Sequence, residues 1–93
     1  MENNLTTLQE LVAISAEECG ELTQVCMKII RRFDRFNQVD QKNRDKLIEE
    51  AGDVLCMIEL MVEYKLLTNQ ELRNRVDEKR IKLKQFSKLI DQQ

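Results

Sequence analysis

The sequence has no histidine, no proline and no tryptophan, and only two glycines among its 93 residues. Each shortage narrows the possibilities. Without histidine, a zinc centre or a Glu-x-x-His di-iron bundle site lacks its commonest nitrogen ligand. Without proline, and almost without glycine, long helices meet few breakers. Aromatic residues make up only 4% of the chain, a composition that suits an all-helical protein. No apolar run approaches the roughly 18–20 residues that span a bilayer, and no signal-peptide pattern is present, so a cytoplasmic protein without a membrane partner is expected. The net charge of −2 lacks the basic excess of a nucleic-acid-coating protein, and no nucleic-acid partner is expected. Cys19, Cys26 and Cys56 form an odd set with no CxxC spacing, and are read as reduced, buried thiols.

What the chain does contain is 42% hydrophobic and 34% charged residue, rich in good helix formers. The expected fold is all-α, a single domain over residues 1–93 built as a helical bundle of three to four helices. A domain this small buries a modest share of its surface, so a four-helix-bundle-type core completed by oligomerisation is expected. Thr7-Leu8-Gln9-Glu10 reads as a capping box opening the first helix. Its stripe is Leu8, Leu11, Val12, Ser15, Cys19, Leu22, Cys26, Ile29 and Phe33, at spacings of three and four. A polar loop from about Arg35 to Lys42 follows. The second helix is expected from Asn43 to Leu67, with Leu47, Ala51, Val54, Ile58, Met61 and Lys65 along one line. Thr68-Asn69-Gln70-Glu71 is a second capping box, opening a third helix that runs almost to the end. Its seam of Leu72, Val76, Lys79, Leu83, Phe86 and Ile90 alternates fours and threes like a heptad. Gly20 and Gly52 fall mid-helix at a cost of roughly 0.5–1 kcal/mol each, which points to close helix approach or ligand access.

Both glycines sit inside acidic clusters, Glu17-Glu18-Cys19-Gly20-Glu21 and Glu49-Glu50-Ala51-Gly52-Asp53. At about 100° per residue, Glu18 projects along the line of Leu11, Leu22, Val25 and Ile29. Glu21 falls at the edge of that stripe and Glu17 nearer solvent. Glu50 lies between Val54 and Met57 on its wheel, with Asp53 beside it and Glu49 further out. Acids at core positions are costly unless compensated. A salt bridge to Lys79 or Arg75 is one compensation. A cation is the other, because two i, i+3 acid pairs supply hard oxygen ligands without nitrogen or sulfur. Such a set selects Mg²⁺, Mn²⁺ or Ca²⁺. Helix-borne carboxylates suit Mg²⁺ best, and the spacing of an EF-hand loop is missing.

Glu17-Glu18-x-x-Glu21, followed after 28 intervening residues by Glu50-x-x-Asp53, resembles the EExxE…ExxD signature of the MazG-like all-α nucleoside triphosphate pyrophosphohydrolases. The flanking stretches EECGELTQ and LIEEAGDVL strengthen the likeness, which runs from about Ala16 to Phe86. The resemblance implies Mg²⁺-dependent cleavage of the α–β phosphoanhydride of an NTP or dNTP, giving NMP and pyrophosphate, with Mn²⁺ as a substitute ion. Glu18, Glu21, Glu50 and Asp53 would be the metal ligands. Glu17 would hold a further ion or deprotonate the attacking water. Glu49 would be a solvated helix charge. The resemblance also implies a homodimer or homotetramer.

Basic groups must then meet the phosphates. Lys79, in the third-helix seam, is the first candidate, with Arg75 and Lys82 on its flank. Lys28, Arg31 and Arg32, just past the first cluster, are further candidates, with a solvated face the favoured reading of them as a group. Phe33 and Phe86 are assigned to packing, and Phe36, near the loop, to contact with a base. The resembled enzymes have four helices or a first helix broken in two, so either a break near Cys19-Gly20 or a partner chain is expected. The competing reading is a non-catalytic, coiled-coil-like assembly module whose acids form interhelical ion pairs.

Overall fold

A capping box does open the first helix, one residue earlier than the sequence pattern indicates. Thr6 Oγ1 accepts from the Gln9 N–H at 3.1 Å, and Gln9 Oε1 accepts from the Thr6 N–H at 3.0 Å. The reciprocal pair is therefore Thr6 and Gln9, an amide closing the box in place of a carboxylate. A computed structural model of the chain describes residues 4–90. Its helices are α1 (Thr7–Arg32), α2 (Gln41–Glu63) and α3 (Asn69–Phe86), with a 3₁₀ turn at Phe36–Gln38. No strand occurs among the described residues, and the all-α class holds. No helix among them is long and apolar enough to cross a membrane.

α1 continues through Cys19-Gly20 without a break, which removes the broken-helix alternative. Arg31 and Arg32 complement the dipole in its last turn. In the loop that follows, Gln38 Oε1 accepts from the N–H groups of Asp34 and Arg35, at 2.8 and 3.1 Å. α2 starts two residues before the expected Asn43, because Asp40 caps it. Asp40 Oδ1 accepts from the Asn43 N–H at 2.9 Å and from the Asn43 side-chain amide at 2.7 Å. These bonds hold the Asp40 carboxyl below its ordinary range, the backbone donor first, with the side-chain amide, Arg32 and Lys42 adding to it.

The chain divides after Met61 into two compact units. In the first, α1 and α2 form a helical hairpin. On α1 the protected positions are Leu11, Ile14, Ser15, Glu18, Leu22, Val25 and Ile29; on α2 the seam runs through Asn43, Leu47, Glu50, Val54, Met57 and Met61, with Ile58 and Leu60 half-buried beside it. Both follow the alternating four-and-three spacing of a knobs-into-holes seam. The α1 seam follows the Glu18 line, and Leu8, Val12, Cys19 and Cys26 of the expected stripe are exposed. The three cysteines are free but exposed, which corrects the expectation of buried thiols. The wheel explains this: Cys19 and Cys26 lie one residue beyond Glu18 and Val25, about 100° off the seam. A Cβ added to Gly20 or Gly52 would meet nothing within 4 Å, so close helix approach in this hairpin does not explain either glycine.

The second unit begins with the end of α2. Lys65, expected on the α2 stripe, instead turns the chain with φ 63, and its N–H donates to Val62 O at 2.9 Å. Left-handed backbone at the end of a helix is the geometry glycine usually supplies. Thr68 and Glu71 then form the expected capping box of α3. α3 stops at Phe86, short of the expected length, with Ser87 as its C-cap. Of the expected seam, Leu72, Leu83 and Ile90 are half-buried, whereas Val76 is exposed and Phe86 is 82% exposed. The assignment of Phe86 to packing is thus corrected: it is the last helical residue, past the last protected position of α3.

Candidate metal centre

Antiparallel helices joined by a short loop bring residues together in reverse order, so Glu18 and Glu21 of α1 face Asp53 and Glu50 of α2. One carboxylate oxygen from each of these four residues lies within 4.8 Å of the other three. Glu50 is 2% exposed and Glu18 half-buried, while Glu21 and Asp53 are exposed. The cluster therefore has a buried floor and a wet rim. Burial pushes the Glu18 carboxyl above its ordinary range, with Glu21, Asp53, a hydrogen bond shared with Asp53, and Glu50 adding to the shift.

The oxygens fit a hard divalent ion. Mg²⁺ binds at about 2.1 Å, placing trans oxygens about 4.2 Å apart, and Ca²⁺ at roughly 2.3–2.6 Å places them slightly further apart. Either ion needs only small side-chain adjustments from the observed spacing. A second feature points the same way. Glu18 Oε2 and Glu50 Oε2 are buried and accept no hydrogen bond among the described residues. A buried carboxylate oxygen with no donor is an expensive group, and a coordinated cation would satisfy it.

The other oxygen of Glu50 is accounted for. Lys46 Nζ lies 3.0 Å from Glu50 Oε1 and 2.7 Å from Glu49 Oε2, both on its own helix. Hydrogen bonding to Glu49, then to Glu50, raises the Lys46 pKa above the ordinary lysine range. The ion-pair partner of the buried acid is therefore Lys46, one turn away on the same helix. Arg75 pairs with Glu78 on α3, at 3.0 Å.

Three of the four acids also line a cavity of about 940 Å³. Glu21, Glu50 and Asp53 line it together with Asp45, with Lys28 and Arg31 from the end of α1 and with Lys42 from the start of α2. Lys46 and Glu49 line it as well, so Glu49 is an exposed charge facing the cavity. The volume falls in the range of small-molecule sites. All of the lining comes from the first unit. Glu17 is exposed and contributes neither to the cluster nor to the wall. Phe36, in the 3₁₀ turn, is 94% exposed and lies outside the lining. Arg75, Lys79 and Lys82 are exposed residues of α3, in the second unit.

Sequence reasoning therefore missed Lys46 and Lys42 as wall residues, and it named Lys28 and Arg31 as further candidates while favouring a solvated face for them. A signal for Lys46 was present, since its spacings of three and four to Glu49 and Glu50 are those of helical ion pairs. Comparison with known protein families, curated proteins and solved structures finds no match.

Proposed function

We propose that the chain is a Mg²⁺-dependent nucleotide pyrophosphohydrolase, cleaving the α–β phosphoanhydride of an NTP or dNTP to NMP and pyrophosphate. The observation that carries this reading is a convergent carboxylate cluster opening onto a cavity whose wall is also basic. Glu18, Glu21, Glu50 and Asp53 would hold the ion, with Mn²⁺ as a substitute. When bound, Mg²⁺ neutralises charge on phosphate oxygens and lowers the pKa of a coordinated water. Lys28, Arg31 and Lys42 line the same cavity and suit the remaining charge of an oligophosphate. Glu17 as a base on the attacking water, and Arg75, Lys79, Lys82 and Phe36 as substrate contacts, rest on the sequence pattern alone. The MazG-like resemblance, a cytoplasmic location and a homodimeric or homotetrameric state belong to the same proposal.

The assembly-module reading draws on exposed apolar residues such as Leu8, Val12, Ile30, Ile48 and Leu55. It leaves the unpartnered oxygens of Glu18 and Glu50 unexplained. The two readings separate in one experiment. The purified protein is incubated with a panel of NTPs and dNTPs plus Mg²⁺, and pyrophosphate release is measured for wild type and Glu18→Gln. Metal-dependent release by the wild type, lost in the variant, is expected. No release across the panel, together with no Mg²⁺ effect on thermal stability, would sink the enzyme reading. Orthophosphate as the main product would move the cut to the terminal phosphate.

A further inference from the structure

Glu50 presents two oxygens in opposite situations. Oε1 is paired with the Lys46 ammonium at 3.0 Å, while Oε2 is buried without a partner. The lysine side chain is 56% exposed and that of the glutamate 3% exposed. The pair is therefore asymmetric. Leaving costs Lys46 little, because its head group is already largely hydrated. Losing it costs Glu50 a great deal unless another cation arrives. Lys46 is also bonded to Glu49 at 2.7 Å and lines the cavity, so its head group has a second anchor at the same wall. Lys42, one turn earlier on α2, lines that wall too.

Resting on the metal reading above, we propose that Lys46 is the resident counter-cation of the acidic centre. A divalent ion displaces it from Glu50, and its freed ammonium joins the basic wall as a ligand for oligophosphate. A dication at the carboxylates repels the ammonium and satisfies Glu50 in its place. The released lysine adds positive charge beside Lys42 where the phosphates lie. Lys46 thereby couples the two binding events, metal occupancy raising oligophosphate affinity and oligophosphate raising metal affinity by the same factor. It is a positioning residue, acting through the cation and the phosphates.

The test uses the full chain and two probes, Mn²⁺ alone and inorganic tripolyphosphate in saturating Mg²⁺. Free Mn²⁺ is followed by electron paramagnetic resonance, and tripolyphosphate binding by calorimetry. Lys46→Met is expected to bind Mn²⁺ at least about fivefold more tightly than wild type and tripolyphosphate at least about fivefold more weakly, the lower end of ordinary coupling energies. Lys46→Gln repeats the test in case the methionine variant does not fold, and Lys46→Arg should stay near wild type in both assays. Lys28→Met is the control, because Lys28 lines the cavity but makes no ion pair among the described residues. It should weaken tripolyphosphate and leave Mn²⁺ affinity within about twofold. Unchanged Mn²⁺ affinity in Lys46→Met and Lys46→Gln, or an equal gain in Lys28→Met, would overturn the displacement. A wild type that binds no Mn²⁺ would instead remove the metal centre, and the inference with it.

Discussion

Neutralising Glu50 should have opposite effects on stability without and with a divalent ion. In Glu50→Gln the side chain keeps its shape and loses its charge. The charged form faces three other carboxylates within 4.8 Å and one ammonium at 3.0 Å. At a water-like dielectric each repulsion is about 0.9 kcal/mol and the attraction about 1.4 kcal/mol, a net strain of about 1 kcal/mol. The water-like value sets a lower bound, because Glu21, Asp53 and Lys46 are exposed but Glu50 itself is buried. A glutamine amide can also donate to a neighbouring carboxylate, which the glutamate cannot do. In chelator the variant should therefore melt higher than wild type, by roughly 4–8 °C for 1 kcal/mol in a domain of this size. Mg²⁺ at a hundredfold excess over its Kd would stabilise the wild type by about 2.7 kcal/mol. The variant, one anionic ligand short, should gain much less, and the order should reverse. Thermal unfolding followed by far-UV circular dichroism, in EDTA and in Mg²⁺, reads both arms. If Glu50→Gln melts lower than wild type by the same margin in both buffers, Glu50 is a structural partner of Lys46, and the reasoning fails.

Three further outcomes follow from the fold. Asp40 titrates below its ordinary value in the native state, so the stability it contributes is complete above that value and is lost as pH falls through the lowered native pKa. Asp40→Asn should flatten that part of the acid limb of a Tm-against-pH curve, and an unchanged limb would remove the cap from the account. Gly52→Ala should stabilise by roughly 0.5–1 kcal/mol in chemical denaturation, since the added Cβ enters open space. A loss of stability or of self-association would show that another surface covers that face. Thr68→Ala removes the acceptor for the Glu71 N–H and should cost about 1 kcal/mol, with Thr68→Ser close to wild type in the same denaturation assay.

Periodicity and capping chemistry made most of the helix plan legible, and the misses have local causes. The box at Thr68 and Glu71 was readable because a threonine and a glutamate three residues on coincide there. At the chain start two threonines adjoin, and the pairing of Thr6 with Gln9 decided between them. The start of α2 was misplaced because its cap is Asp40, which accepts twice from Asn43, a pair outside the usual threonine and glutamate signature. The α1 stripe was drawn too wide. Apolar Leu8, Val12 and Cys26 sit beside the seam, and periodicity alone cannot say which side of a broad stripe is covered. Burial of Glu50 was legible for the opposite reason: the position between Val54 and Met57 has one reading on the wheel. The basic wall was legible only in part: Lys28 and Arg31 stood as secondary candidates, and Lys42 went unnamed because it comes from the opposite end of the loop. Only the hairpin places them on one cavity.

The same seam carries the strongest physical constraint on what the chain does. Glu50 occupies a position between Leu47 and Val54 where leucine would complete the packing, and burying an apolar side chain there would contribute about 1.5–3 kcal/mol. A glutamate instead gives up that contribution and adds a buried oxygen without a donor. An ion pair explains only half of this arrangement. Lys46 reaches Oε1, yet it reaches neither Glu50 Oε2 nor Glu18 Oε2, and it does nothing for Glu21 or Asp53. A fold shaped for stability alone would need one acid for one lysine. Here four acids converge, two of them partly or wholly withdrawn from water, and all four can address a single point. A hard divalent cation would satisfy all four at once, as the proposed function requires, and three of the four open onto a cavity that Lys28, Arg31 and Lys42 also line.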